Sequence, residues 1–241
     1  MIKRVLRKLY YKPPVYFVKH FEVRHLQTKS KSIIKNYLNN NAVKKLQIGC
    51  GSNMLGGWLN TDLFYKKDEI VYLDAGRKFP LPDETFDYIY SEHIFEHLNF
   101  KQGLNMLHEC YRILKPGGYL RLATPDMDFL MALHNDPKKT IHQEYIKWSA
   151  NRFIPDISNN FEENEDLSAF VINNFFRDWG HQIIYNFESL KLILKKTGFL
   201  NIIKQEVGKS NIEEFDKLEK HGEIIPDEFN ELETLVVEAV K

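Results

Sequence analysis

A short apolar run that ends in a Gly-x-Gly turn is the strongest constraint on how this 241-residue chain can fold. Residues 46–48 lead directly into Gly49 and Gly51, and a second apolar run ends at Asp62. Glycine lets the backbone approach a ligand closely because it has no Cβ. A carboxylate at the end of a strand can accept hydrogen bonds from ribose hydroxyls. These features predict a pocket for a nucleoside-containing ligand.

Short apolar runs at regular intervals predict seven strands, at residues 46–48, 58–63, 70–74, 86–91, 119–124, 201–203 and 235–240. The segment 101–114 carries its apolar side chains on one helical face, and the Lys-Pro-Gly-Gly sequence at 115–118 stops it. Asn186 is a suitable N-cap for a second helix over 187–196. The alternation of strands and helices favours an α/β fold with a mostly parallel, doubly wound sheet.

Ligands of doubly wound sheets bind beyond the carboxyl ends of the strands. In this chain those ends carry glycines and polar side chains, namely Gly49, Gly51, Asp62, Asp74, Ser91 and Asp126. Their convergence on one edge is the strongest inference that the residues support without any known family. It predicts that the binding site lies at that edge of the sheet.

Two segments depart from the strand-and-helix pattern. Residues 127–180 are rich in aromatic side chains and include an acidic patch, which predicts a helical cap inserted into a main domain that spans residues 43–241. Residues 1–42 form a basic, aromatic arm, since residues 1–45 hold twelve Lys and Arg against Glu22 alone. The arm either packs against the body or contacts an anionic membrane surface through residues 1–40.

Composition narrows the possible classes of protein and partner. Two cysteines, Cys50 and Cys110, cannot form a disulfide framework, and no Cys/His spacing is typical of a zinc site, so no metal is expected. No apolar run approaches the roughly 18 residues of a membrane-spanning helix, and the N-terminal residues lack the apolar core of a signal peptide. We expect a cytoplasmic protein. No RNA-binding motif accompanies the basic residues, so no nucleic-acid partner is expected.

Several motifs occur in a fixed order along the chain: Leu-Gln-Ile-Gly-Cys-Gly at 46–51, Asn-Thr-Asp at 60–62, Leu-Asp-Ala at 73–75, Phe-Asp-Tyr-Ile at 86–89, Glu-His-Ile-Phe-Glu-His at 92–97, Arg-Ile-Leu-Lys-Pro-Gly-Gly at 112–118 and Leu-Val-Val-Glu-Ala at 235–239. This ordered set resembles class I S-adenosylmethionine-dependent methyltransferases. Within them it is similar to the methyltransferase type 11-like proteins associated with bacterial cell-surface glycan clusters. The resemblance implies a Rossmann-like, seven-stranded sheet with an antiparallel last strand and a helical cap.

The resemblance also implies a cofactor, S-adenosylmethionine, with S-adenosylhomocysteine as its product. Gly49 and Gly51 would line its methionine part, and Asp62 would hold the ribose hydroxyls. Asp74 would lie at the adenine. The complete set of implied cofactor-binding residues is Gly49, Cys50, Gly51, Asn53, Asp62, Asp74, Ala75, Ser91 and His93.

The segment between Gly51 and Asp62 departs from the usual pattern, because ten residues are too few for a full crossover helix. The Gly-Trp-x-Asn-x-Asp sequence at 57–62 is shared by glycan-type members of the family. A dinucleotide oxidoreductase, the competing fold-related class, needs a third glycine where Met54 stands and an acidic residue about 20 positions further on. Neither condition is met.

Methylation of a sugar hydroxyl needs a general base, because a hydroxyl is a poor nucleophile at neutral pH. The candidates by position are His93, Glu96, His97, Asp126 and His181, of which His181 and His93 are the preferred bases. We expect a methyltransferase whose acceptor is a small molecule or glycan, such as a surface saccharide or its lipid-linked precursor. The alternative is a non-catalytic module of the same fold that binds a partner enzyme or the inner face of a membrane.

Overall fold

A single seven-stranded sheet organises the computed structural model, which describes residues 20–64, 67–162 and 165–241. The strands are β1 Lys45–Ile48, β2 Leu59–Asp62, β3 Val71–Tyr72, β4 Phe86–Glu92, β5 Leu114–Pro125, β6 Leu200–Gln205 and β7 Thr234–Val240. Their spatial order is β3-β2-β1-β4-β5-β7-β6. Neighbouring strands from β3 to β5 are parallel, whereas β7 runs antiparallel to both β5 and β6. The predicted Rossmann-like sheet with an antiparallel last strand is confirmed.

Helices cover the faces of this sheet and build the cap. They are α1 His20–Asn40, α2 Phe100–Ile113, α3 Met127–Asn135, α4 Thr140–Phe153, α5 Pro155–Ser158, α6 Ser168–Arg177, α7 Phe187–Lys196 and α8 Asp227–Glu233, with short 3₁₀ helices at Phe95–His97, Glu213–Phe215 and His221–Glu223. Helix α7 has the predicted bounds, and Asn186 caps it by accepting a hydrogen bond from the Ser189 backbone N–H. None of the helices among the described residues is long and apolar enough to cross a membrane.

Helix α2 begins with a capping box in which Asn99 and Gln102 exchange side-chain and backbone hydrogen bonds. Its buried face includes Met106, Leu107 and Cys110, which belong to the main core under the sheet. The helix ends at Ile113, as the sequence at 115–118 predicts. Strand β5 then begins at once at Leu114, five residues earlier than expected, because 114 already pairs with Phe86 of β4.

Helix α1 contains the second half of the predicted basic arm, and residues 1–19 lie outside the described residues. The Ser30 hydroxyl accepts a hydrogen bond from the Tyr72 N–H of β3 at 2.9 Å, and Ile34 is buried in the main core. The Tyr37 hydroxyl bonds to the Lys45 backbone at the start of β1. Residues 20–40 are therefore packed against the sheet edge.

The cap lies between β5 and α7 and has an apolar cluster of its own. Tyr145, Phe175 and Phe229 are buried in that cluster, and aromatic pairs such as Phe129–Tyr145 pack edge to face at 4.9 Å. Most of the cap aromatics thus fill a core. Asp126 caps α3 at the entrance to the insertion. The chain leaves the main domain and returns to it at neighbouring points, because the Met127 N–H at the start of the insertion donates to the Tyr185 carbonyl at its end, at 3.0 Å.

A buried arginine ties β5 to the C-terminal part of the sheet. Arg121 has no exposed surface, and its Nε donates to Glu219 at 2.7 Å. The same guanidinium also bonds to Glu238 of β7 and to the Lys209 carbonyl. A buried cation is tolerated only when its charge and its N–H groups are matched, as they are here.

Candidate active site

The Gly-x-Gly turn is held against the end of β2 by backbone hydrogen bonds. The N–H groups of Gly49 and Cys50 both donate to the Thr61 carbonyl at 2.9 Å. The Gly51 N–H donates to the Asp62 carboxylate, also at 2.9 Å. The ends of β1 and β2 therefore form one local structure, as the sequence suggests, and Asp62 is in direct contact with the turn.

The short segment between β1 and β2 contains no helix, in agreement with the spacing in the sequence. The Asn60 side chain replaces helical hydrogen bonds, since its oxygen accepts from the Leu55 N–H at 2.9 Å and its amide donates to the Leu55 carbonyl at 3.0 Å. The Gln47 amide donates to the Asn53 carbonyl at 3.0 Å. The asparagine of the 57–62 motif thus holds the loop that carries Asn53, which explains why that residue type is needed there.

The two glycines of the turn differ in what surrounds them. Gly49 has a φ of +73°, and an added Cβ would lie 2.1 Å from Cγ1 of Ile94. Gly51 has a φ of +51°, yet an added Cβ there would meet no atom of the described residues within 4 Å. Packing against Ile94 therefore accounts for the glycine at 49. The space beside Gly51 can admit a ligand close to the backbone.

Asp74 and Ala75, at the end of β3, lie next to this turn in the sheet. The Leu73 N–H donates to the Asp62 carbonyl at 3.1 Å, which places the two strand ends side by side. The Asp74 carboxylate accepts from the Gly76 N–H at 2.9 Å and pairs with Arg77 at 3.0 Å. Two carboxylates near an open glycine turn are hydrogen-bond acceptors, which fit the hydroxyls of a nucleoside ribose and the amino group of its base.

Ser91 and Cys50 are buried beneath the turn. The Ser91 hydroxyl donates to the Ile48 carbonyl at 3.1 Å, so it fastens β4 to β1. Burial, aided by the nearby Asp62 charge, raises the pKa of the Cys50 thiol to about 12. The thiol therefore stays protonated, and the residue acts as a small apolar group under the turn.

A second cluster forms where β4 ends, next to the same turn. His93 adopts a left-handed backbone with a φ of +49°, and the 3₁₀ helix after it carries Glu96 and His97. The His93 Nδ1 lies 3.2 Å from Oε1 of Glu96, whose side chain is completely buried. Thr124, at the end of β5, donates its hydroxyl to the other Glu96 oxygen at 3.1 Å. A buried carboxylate thus orients the His93 ring.

His181 comes from the segment that returns from the cap to α7. The next two residues, Gln182 and Ile183, donate their backbone N–H groups to the Glu96 carbonyl at 2.7 and 3.2 Å. The His181 Nδ1 lies 2.8 Å from the Phe175 carbonyl. Because a carbonyl only accepts, Nδ1 carries the proton and Nε2 carries the lone pair. The His181 ring packs on the His97 ring, with centroids 4.9 Å apart.

Burial and charge act in opposite directions on the pKa values of this cluster. Burial would raise the pKa of Glu96, but hydrogen bonding to His93 and the surrounding histidines lower it, so Glu96 is ionised. Burial would lower the pKa of His93, but the hydrogen bond and charge of Glu96 raise it. Burial lowers the pKa of His181 below its ordinary value, despite the nearby Glu96. The two preferred histidines therefore have opposite shifts.

The segment before α8 completes the surroundings of His93. The ring centroids of His221 and His93 lie 4.0 Å apart. The His221 Nε2 lies 3.3 Å from Oε1 of Glu233. Glu92 accepts the N–H groups of Lys220 and His221, both at 2.9 Å, which holds this segment over the end of β4. His221 and Glu233 were not among the residues identified from sequence, because no motif marks them.

The comparisons with known proteins agree with this architecture. The family model described as a methyltransferase domain matches residues 61–122, from the end of β2 to β5. This segment of the chain is similar to a methyltransferase domain. The matched segment includes Asp62, Asp74 and His93, whereas the glycine turn lies just before it. No curated protein matches the chain.

Several solved structures to which the chain is similar are described as methyltransferases. A S-adenosylmethionine-dependent methyltransferase from Archaeoglobus fulgidus is 17% identical, with 89% of this chain and 94% of that chain covered and a TM-score of 0.46. A Thermotoga maritima methyltransferase, described as a possible histamine N-methyltransferase, is 17% identical, with 91% and 95% covered and a TM-score of 0.43. Haemonchus contortus phosphoethanolamine N-methyltransferase 2, in complex with S-adenosylmethionine, is 16% identical, with 89% and 52% covered and a TM-score of 0.41.

The domain match supports S-adenosylmethionine-dependent methyltransferase activity, with S-adenosylmethionine as the cofactor. The open face of Gly51 and the adjoining Asp62 carboxylate fit a nucleoside cofactor. When bound, this cofactor supplies the activated methyl group on a sulfonium. The protein then has to align the acceptor and remove its proton.

Proposed function

We propose that this methyltransferase acts on a hydroxyl of a bacterial surface saccharide or of its lipid-linked precursor. The observation that carries the proposal is the His93–Glu96 pair beside the glycine turn. A hydroxyl acceptor needs a general base, and an imidazole oriented by a buried carboxylate is well suited to that task. The motif at 57–62, similar to that of glycan-type methyltransferases, supports the saccharide class.

For the cofactor, we propose the roles that the family resemblance implies. Gly49 and Gly51, with Cys50 between them and Asn53 after them, line the methionine part. Asp62 binds the ribose hydroxyls. The adenine lies at Asp74 and Ala75, and Ser91 and His93 lie near the sulfonium. Hydrogen bonds from Gly51 to Asp62 and from Leu73 to the Asp62 carbonyl support one continuous site.

For the proton, we propose that His93 is the acceptor. Its Nδ1 is directed to Glu96, and its buried Nε2 has no hydrogen-bond partner among the described residues. Nε2, which carries the lone pair when Nδ1 donates to Glu96, is the atom proposed to take the proton of the acceptor hydroxyl. As the oxygen–methyl bond forms and the carbon–sulfur bond breaks, the hydroxyl proton passes to Nε2 and the electron pair stays on sulfur. His181, the other candidate from sequence, lies on the cap side of Glu96, where the next two residues donate their N–H groups to the Glu96 carbonyl.

We propose that the protein contacts the inner face of the membrane peripherally, where a lipid-linked acceptor would lie. The basic arm supports this contact. Anionic lipid surfaces attract Lys and Arg clusters, and aromatic side chains favour the interface. Co-sedimentation with anionic liposomes, comparing the full chain with one that starts at His20 and so keeps α1, tests this part. Equal pelleting of both chains would remove the membrane contact from the proposal.

Binding of S-adenosylhomocysteine, measured by calorimetry, tests the cofactor site. Asp62→Ala should abolish binding, because the ribose hydroxyls lose their acceptor. Asp136→Ala, at an exposed aspartate at the end of α3, is the matched control and should bind like the unmodified protein. Unchanged affinity in Asp62→Ala would refute the ribose role. No binding at about millimolar ligand by the unmodified protein would refute the cofactor site.

Methyl transfer to a panel of saccharide hydroxyl acceptors tests the base. His93→Ala should lower the transfer rate by about 10²- to 10⁴-fold, the usual contribution of a general base, while S-adenosylhomocysteine still binds. A small effect on the rate would remove His93 from the mechanism. Transfer to amines alone, with no hydroxyl product, would overturn the acceptor class.

A further inference from the structure

Three side chains from two distant segments bring their ligand atoms together beside the proposed site. One carboxylate oxygen of Glu96 and one ring nitrogen each of His97 and His181 all lie within 4.8 Å of one another. Among the described residues this is the cluster of histidine and carboxylate groups with metal-ligand spacing. We propose that Glu96, His97 and His181 bind a divalent transition-metal ion that also contacts the acceptor hydroxyl.

The distances suit an ion after a small contraction. Zn–N and Zn–O bonds of about 2.0–2.2 Å place neighbouring ligand atoms about 3–4 Å apart. The His97 Nε2 lies 3.9 Å from Oε1 of Glu96, already within that range. Both histidines are half-buried, so their rings can close on an ion without displacing core side chains.

The hydrogen bonds around the cluster prepare the ligand atoms. The His181 Nδ1 is committed to the Phe175 carbonyl, which leaves the lone pair on Nε2. A metal-bound histidine commonly donates its other N–H to a carbonyl in this way. Thr124 donates to the second oxygen of Glu96, which fixes the carboxylate plane. These contacts are the outer shell that a metal site requires.

Charge supports the same assignment. The Glu96 side chain is completely buried, and a buried carboxylate needs a compensating positive charge. A divalent ion supplies that charge directly. No lysine or arginine is paired with Glu96 in the ion pairs of the described residues.

The donor set favours a particular class of ion. Two imidazoles and one carboxylate suit Zn²⁺, Mn²⁺, Fe²⁺ and Co²⁺, whereas Mg²⁺ and Ca²⁺ prefer oxygen ligands throughout. Three protein ligands leave coordination positions for water or substrate. The exposed fraction of the His97 side chain, 37%, shows that the cluster is reachable from the solvent.

The role of the ion rests on the proposed function. An ion that contacts the acceptor hydroxyl lowers its pKa, and His93 then takes the proton at Nε2. The oxygen–methyl bond forms as the carbon–sulfur bond breaks, and no oxidant or reductant is needed. In this arrangement the contact between His181 and the acceptor runs through the ion. The sequence alone predicts no metal, since its Cys/His spacing is not that of a zinc site.

Titration of the chelator-treated full chain with Co²⁺ and Mn²⁺, followed by calorimetry and by the visible absorption of Co²⁺, tests the site. We expect about one ion per chain. His97→Ala and His181→Ala should each weaken binding at least about 10-fold, since even outer-shell losses cost about 10- to 100-fold. His108→Ala, at an exposed histidine of α2, is the matched control and should bind like the unmodified protein.

Two further measurements separate this inference from the proposed function. Thermal unfolding and S-adenosylhomocysteine binding show whether each variant is folded; His97→Ala, which removes a half-exposed ring, is the variant of choice. His93→Ala should keep the ion but lose methyl transfer. No ion binding by the unmodified chain, or equal binding by all variants, would overturn the metal site. If S-adenosylhomocysteine still binds in that case, the cofactor assignment stands.

Discussion

Alanine at Gly49 should destabilise the protein more than alanine at Gly51, although both glycines have left-handed backbones. That backbone costs a non-glycine residue about 1–2 kcal/mol. At Gly51 nothing else opposes a Cβ, so the substitution should cost about 1–2 kcal/mol. At Gly49 the new Cβ would lie 2.1 Å from Cγ1 of Ile94, which adds an overpacking cost of about 1–3 kcal/mol. The expected total is about 2–5 kcal/mol.

Removing the Ile94 side chain isolates the steric part. In an Ile94→Ala background, Gly49→Ala should cost only the backbone strain of about 1–2 kcal/mol, as at Gly51. A double-mutant cycle then reports a favourable coupling of about 1–3 kcal/mol between the two substitutions. Neighbouring sites are where such coupling is expected.

Equilibrium urea unfolding, followed by the fluorescence of the three tryptophans, measures each free energy of unfolding. Calorimetry with S-adenosylhomocysteine adds a second readout, in which Gly51→Ala should lose affinity despite its smaller loss of stability. Equal destabilisation by Gly49→Ala and Gly51→Ala, or additivity in the double mutant, would refute the assigned role of Ile94.

Three other substitutions test the fold. Arg121→Met should lower the free energy of unfolding by about 3–5 kcal/mol, because Glu219 and Glu238 stay buried without a cation. A smaller loss, measured by chemical denaturation, would contradict this role of Arg121. Asn186→Ala should cost about 1 kcal/mol by removing the cap of α7, and an unchanged melting temperature would refute that role. Burial would raise the pKa of Glu109, but hydrogen bonds from Arg112 and from a backbone N–H lower it. The ionised carboxylate therefore stabilises the folded protein above the unfolded pKa of about 4.5, and this stabilisation is lost as the pH falls. When the free energy of unfolding is measured from about pH 6 to pH 3, Glu109→Gln should therefore lose less stability on acidification than the unmodified protein. Parallel curves for the two proteins would refute this role of Glu109.

Local signals carried most of the fold prediction. The bounds of α7 follow from a capping asparagine and a terminal Thr-Gly pair, and both act within a few residues. The strand positions follow from short apolar runs. The early start of β5 at Leu114 could not be read locally, because it depends on pairing with Phe86 across the sheet.

The candidate site was only partly accessible from sequence. Gly51 and Asp62 could be paired because they close successive strands of a parallel sheet. Glu96, His97 and His181 were each noted as polar residues near the pocket, but their convergence depends on backbone hydrogen bonds from Gln182 and Ile183 to Glu96. No periodicity or motif encodes a contact between segments more than eighty residues apart.

The adjacent ends of the cap, joined by the Met127–Tyr185 hydrogen bond, make it an exchangeable module. Doubling the length of a loop adds only about 0.6 kcal/mol of closure cost, so caps of very different size can be accommodated at these two points. His181 lies inside the exchanged segment, whereas His93 and Glu96 lie outside it, directly after β4. A transplanted cap would therefore bring its own partner for the buried carboxylate, and a new acceptor preference could arrive together with the residue that completes the site.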